Sequence, residues 1–191
     1  LKIQIPFRFK GFNLPLWGGL ILVLSINACS PKTKIKAQEP YFDLKSYFEE
    51  KESEFSRNKI PLFKTLIMNG ITQNRKIVNP EWNRELVFFI EADINKPAWA
   101  GKFESQWKEG NLTYKALDTN KINIRRVDFF HFNPKDSSFD SVRIIKKETN
   151  YLSNLQVILV YKPDSAYSVR YNQDIRFYQG SHYSIQVKIK P

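Results

Sequence analysis

Apolar and polar positions change rhythm several times along this chain, and each change predicts a different element. Leu44, Tyr47, Phe48 and Phe55 recur at helical spacing, with Glu49, Glu50, Lys51, Glu52 and Glu54 on the wet side. Asp43 stands where a cap belongs, so the pattern predicts a first helix starting there. After Asn58 the period shortens. Leu62, Leu66 and Met68 alternate with Phe63 and Thr65, Asn69-Gly70 interrupts, and Ile71 to Val78 resumes, which predicts a hairpin. A second helix follows, with Asn79 as its cap, Pro80 in the first helical position and Glu81 at the positive end. Its stripe of Trp82, Leu86, Phe89, Ile90 and Ile94 is widened by Val87 and Phe88, predicting burial over more than half the circumference, with Pro97 as the stop.

From Trp99 onward the alternation is that of strands. The runs are Phe103–Lys108, Leu112–Leu117, Ile122–Phe132, Ser141–Lys147, Leu155–Lys162, Ala166–Tyr171, Ile175–Tyr178 and Tyr183–Lys190. Turn chemistry separates them at Glu109-Gly110-Asn111, Asp118-Thr119-Asn120, Asn133 to Asp136, Pro163-Asp164-Ser165 and Gly180-Ser181. Leu155 to Tyr161 is apolar on both faces at its middle, as a central strand would be. Arg125-Arg126 breaks the alternation begun by Ile122 and Ile124, which predicts a bulge. Short links favour neighbouring antiparallel pairs. The expectation is an α+β domain over residues 41–191: a curved antiparallel sheet, a meander of half-barrel character, packed on one or two helices.

The first 28 residues follow a different logic. Lys2, Arg8 and Lys10 precede an apolar run from Leu14 to Ile26, and small Ala28 stands before Cys29, the only cysteine of the chain. Basic, apolar and small residues in that order describe an export signal, and the uninterrupted apolar part falls short of the about 20 residues of a spanning helix. Ile26-Asn27-Ala28-Cys29 resembles the lipobox of bacterial lipoproteins with a type II signal peptide. That resemblance implies cleavage before Cys29 and lipidation of its thiol. Residues 29–40 then form a polar tether, SPKTKIKAQEP after the cysteine, reaching on the order of 35 Å at about 3.3 Å per residue. Ser30 after the cysteine resembles the enterobacterial pattern for the outer membrane. YFDLKSYFEE and DINKPAW also resemble stretches of uncharacterised lipoproteins of Bacteroidota, and no activity comes with that likeness. A half-barrel closed by helices resembles, at the level of fold, the lipoprotein carriers that move lipid-modified proteins to the outer membrane.

Charge adds a direction to this picture. The 191 residues carry 30 Lys and Arg against 19 Asp and Glu, a formal net charge of +11, which favours anionic surfaces. Outward positions of the late strands place Arg170, Arg176, Lys188 and Lys190 in a basic stripe, the candidate binding residues together with Trp99. Asp164-Ser165-Ala166 and Asp140-Ser141-Val142 resemble the O-glycosylation signal of Bacteroidota, and Ser165, in a turn, is the better acceptor.

Catalytic chemistry is not written in the chain. Its two histidines, His131 and His182, fall in no metal-binding spacing, and no nucleophile elbow, phosphate loop or dinucleotide fingerprint is present. Glu91 and Asp93 beside Asn95-Lys96-Pro97-Ala98-Trp99 read as a helix end and a pinned loop. Of Tyr167, Tyr171, Phe177, Tyr178 and Tyr183, interleaved with basic residues, most sit on the apolar side of alternating strands, where core packing is the default. The expectation is therefore a non-enzymatic envelope lipoprotein at the outer membrane. It has no catalytic residue, no metal and no cofactor beyond a covalent lipid on Cys29. Its partners would be the membrane through that anchor and an envelope protein, lipid or anionic polysaccharide through the sheet, with no nucleic acid. Carriage of an amphiphile and a structural role against anionic lipid or polysaccharide are the alternatives.

Overall fold

The computed structural model describes residues 41–190; the expected leader, Cys29 and the expected tether fall outside them. Two helices, α1 (Leu44–Arg57) and α2 (Trp82–Ile90), pack on one face of a nine-stranded antiparallel sheet that does not close into a barrel. The strands are β1 (Leu62–Met68), β2 (Ile71–Ile77), β3 (Phe103–Lys108), β4 (Asn111–Ala116), β5 (Ile124–Phe130), β6 (Ser141–Thr149), β7 (Ser153–Lys162), β8 (Ala166–Ile175) and β9 (Tyr178–Ile189). Their order is β2-β1-β9-β8-β7-β6-β5-β4-β3, so β3 to β9 form the expected meander and β7 lies at the centre of the nine-stranded sheet. The early hairpin joins the last strand, Leu62 opposite Ile189 and Met68 opposite Tyr183.

Local chemistry explains most of these elements. The Asp43 carboxylate accepts from the Ser46 N–H at 2.9 Å and caps α1 as expected. Asn69-Gly70 and Glu109-Gly110 both place two successive residues at positive φ, the geometry of two-residue hairpin turns. The bulge falls at Arg125, between Ile124 and Arg126.

The second helix departs from its expectation at both ends. It begins at Trp82 with Glu81 at the cap position, not Asn79, because the Glu81 carbonyl accepts the first helical N–H groups and the Trp82 indole is tied to the Ile60 carbonyl at 3.1 Å. It ends at Ile90, well before Pro97, which instead opens the 3-10 turn Pro97–Trp99. Ala92, Asp93 and Ile94 are buried on irregular backbone, and Phe88 remains 41% exposed, so the buried arc is narrower than the sequence suggests. The late strands are also corrected. Ile175–Tyr178 is not a strand of its own: β8 runs on to Ile175, turns at Arg176-Phe177, and β9 starts at Tyr178. Gly180 lies inside β9 because a Cβ there would meet the Gln173 carbonyl oxygen at 2.3 Å; it permits a close approach rather than a turn.

The core sits between helices and sheet. Phe48 and Phe89 stack at 4.8 Å, and Tyr161 of β7 meets Phe48 edge-on at 4.9 Å. Trp82, Leu86, Val127, Phe129, Ile144 and Leu159 complete a closed layer. Lys64 bonds Glu85 at 2.6 Å and the Tyr167 hydroxyl donates to the same carboxylate, tying β1 and β8 to α2.

Candidate functional site: the outer face of the sheet

The pleat turns every second residue away from the helices. An antiparallel sheet covered on one side normally shows polar residues on the other. Here the register brings apolar and cationic side chains together instead. One transverse row reads Arg126, Ile145, Ile158, Arg170 across β5 to β8. Three strand intervals put about 14 Å between its two arginines. The next row reads Asp128, Arg143, Val160, Ser168, Gln186. A third runs from Lys162 through Ala166, Lys188 and Phe63 to Lys76.

These rows line a groove of about 960 Å³, floored by Ile145, Ile158 and Val160 and rimmed by Lys162, Arg170, Lys188 and Lys190. Its lining contains no Asp or Glu. Lys76 and Lys190 lie 5.6 and 5.2 Å from the centre of the Phe63 ring. Arg170 and Lys188 are exposed, and among the described residues no carboxylate pairs with them. The basic surface continues past Ile145 into a second hollow of about 750 Å³, where Lys115, Lys121, Arg125, Arg126 and Lys147 gather, again without a carboxylate.

The acids on this side lie outside the groove: exposed Glu104 and Asp174 stand at outward positions opposite Lys115 and Asn154, and Asp128 is buried at the groove edge, accepting from Thr113 at 2.8 Å, Arg126 at 2.5 Å and Arg143 at 2.9 Å. It fixes both guanidinium groups rather than neutralising the face as a whole. Most remaining acids lie elsewhere, notably Glu49, Glu50 and Glu52 on α1 and Glu81 and Glu91 around α2.

The structure gathers three of the four stripe residues and removes the fourth. Arg170, Lys188 and Lys190 share the groove, while Arg176 sits at the β8–β9 turn over the Tyr151 and Phe177 rings. Trp99 is half-buried against Phe103 with Lys96 Nζ 4.5 Å from its ring centre, away from the groove. The Asn95 side chain donates to the Tyr41 and Phe42 carbonyls and to Asp93, so this stretch pins the start of the domain. Ser165 is exposed in the β7–β8 turn, open to modification. Cys29 lies outside the described residues.

No family of proteins, curated protein or solved structure matches this chain. The face must therefore be read from its own chemistry. Among the described residues no cluster of three or more His, Cys, Asp or Glu side chains suits a metal, and no helix is long and apolar enough to cross a membrane. His131 pairs with Asp140 at 2.6 Å on exposed loops. His182 stands 3.6 Å from Asp174. The shifted tyrosines belong to the other face: burial, and for Tyr167 the Glu85 carboxylate too, pushes the Tyr161 and Tyr167 hydroxyls far above their ordinary range.

Sequence reasoning missed Phe63, Lys76, Arg143 and Lys162 as members of this face. The available signal was the two-sided apolar character of Ile158 and Val160. It identified a central strand, yet the outward half of that pattern is unneeded for a one-sided core.

Proposed function

We propose that this chain is a non-enzymatic envelope lipoprotein, anchored through Cys29, whose sheet binds an anionic amphiphile on its outer face. One observation carries the reading: an apolar floor of Ile145, Ile158 and Val160 bounded by Arg170, Lys188 and Lys190 in an acid-free groove. Phosphate or carboxylate groups would sit over the cations while the apolar part covers the isoleucines and valine. A volume of about 960 Å³ is at the upper end of ordinary small-molecule sites, which span about 300–1,000 Å³. The alternative of a cargo held between sheet and helices finds no support, because Phe48, Phe89 and Tyr161 fill that space.

Calorimetric titration with dihexanoyl phosphatidylglycerol, kept monomeric, tests the reading against neutral dihexanoyl phosphatidylcholine. The anionic lipid binds, the neutral one binds at least about tenfold more weakly, and the difference shrinks as salt screens the rim. Equal binding of the two lipids, or none, would remove the proposal. Incorporation of labelled palmitate, lost in Cys29→Ser, tests the anchor separately.

A further inference from the structure

A second surface lies at one end of the sheet and is built from different residues. The β6–β7 and β8–β9 turns meet there: the Arg176 N–H donates to the Leu152 carbonyl at 2.8 Å, and the Arg176 guanidinium lies 4.9 Å from the Tyr151 ring and 5.1 Å from the Phe177 ring. Tyr151, Leu152, Phe177 and Tyr178 are 77%, 58%, 86% and 80% exposed, so the domain gains no core from them. β9 runs five residues beyond the point where β1 pairs with it, Met68 to Tyr183, so this tip projects about 17 Å past the β1–β2 turn.

The backbone adds a separate sign. Phe177 holds φ at +69°, a region that glycine or asparagine occupies readily and a bulky side chain avoids. A hairpin selected for stability alone would place glycine there. Instead the strained position presents a phenyl ring to solvent. Close by, Gln156 and Thr149 border the hollow that collects Lys121, Arg125 and Lys147. Aromatic rings beside cations match the headgroup boundary of an anionic bilayer, where rings with one wet and one apolar end are favoured and basic residues meet lipid phosphates.

We infer that the paired turns form a membrane-inserting tip, with Phe177, Tyr151, Tyr178 and Leu152 entering the interface of an anionic bilayer and Arg176 at the phosphate level. This contact is additional to the groove and does not depend on it. It gives the domain a fixed orientation on the bilayer, which a lipid on Cys29 alone would not.

The test uses the full chain with vesicles of equal parts phosphatidylcholine and phosphatidylglycerol whose acyl chains are brominated. Bromine quenches only nearby indoles, and the chain's own four tryptophans, Trp17 in the N-terminal segment among them, are removed from the readout by subtracting the parent chain measured on the same vesicles, so that Phe177→Trp reports on the tip. Lys135→Trp, in the loop at the opposite end of β6, is the control. The account requires quenching of the added fluorescence for Phe177→Trp and little for Lys135→Trp. A combined Tyr151→Ser, Phe177→Gly and Tyr178→Ser variant should partition about tenfold less onto the same vesicles. Phe177→Gly alone should melt no lower than the parent chain while losing vesicle contact, which separates a binding role from a structural one. Equal quenching at both positions, or partitioning unchanged by the combined variant, would overturn the tip. So would concentration-dependent self-association abolished by the same substitutions, since the occupant would then be a second copy of the chain.

Discussion

The two faces of one strand make the sharpest contrast in this molecule. On β7, Val157, Leu159 and Tyr161 point toward the helices and are sealed, whereas Ile158 and Val160, their immediate neighbours, floor an open groove ringed by cations. Both sets are apolar and both are held by the same backbone. Only the inner set has partners that remove it from water, among them Phe48 and Phe89. Apolar character alone therefore does not mark a core. What marks it is whether another layer covers it, and on the outer face the surrounding charge specifies the chemistry of what would.

The contrast can be broken most heavily from the inside. Phe89 is wholly enclosed, so Phe89→Ala should cost about 3–5 kcal/mol in urea denaturation, while anion binding per folded molecule stays unchanged. Asp128 stands between the two regimes. Asp128→Asn keeps the shape but loosens Arg126 and Arg143, costing about 2 kcal/mol, and the freed guanidinium groups should tighten anion binding. Stability and affinity would move in opposite directions, which calorimetry and denaturation of the same sample can show.

Alkaline pH reaches the inner face through two of its tyrosines. Tyr161 and Tyr167 have hydroxyls held protonated by burial, far above the ordinary value of 10.0 that the unfolded chain would show. A raised folded value means that the native state keeps its proton while the unfolded state loses one. The stability is therefore intact below pH 10 and declines above it, by about 1.4 kcal/mol per pH unit for each tyrosine. Tyr161→Phe should lessen that slope in denaturation profiles taken above pH 10. A slope unchanged by the substitution would remove Tyr161 from the account.

Much of the fold was legible because local signals agreed with the global ones. Asp43, the Asn69-Gly70 turn, the alternation of β9 and the two-sided β7 each announced their elements. The failures have specific physical causes. Pro80 and Pro97 looked like helix punctuation, but the Trp82 indole and the buried Ala92-Asp93-Ile94 stretch set the real ends. Gly180 looked like a turn and is a close approach, whereas the actual turn uses Arg176-Phe177, a pair that no turn preference would select. That same error hid the exposure of Phe177 and Tyr178, since both were read as part of a strand Ile175–Tyr178, where core packing is the default for aromatics. The groove was half-visible. Arg170, Lys188 and Lys190 came from adjacent late strands, but Phe63 and Lys76 join them only because β1 docks on β9, a pairing between opposite ends of the domain that periodicity cannot specify.

The smallest predicted effect on stability accompanies the most direct test. Arg170→Glu with Lys188→Glu replaces two exposed cations and should alter unfolding free energy by no more than about 0.5 kcal/mol. Methyl resonances of the full chain are then followed as monomeric dihexanoyl phosphatidylglycerol is added. The account predicts shifts at Ile145, Ile158 and Val160 with Val157 and Leu159 silent, and their disappearance in the double variant. Shifts at Val157 and Leu159 with Ile158 and Val160 unmoved would contradict it, for the ligand would then lie between sheet and helices.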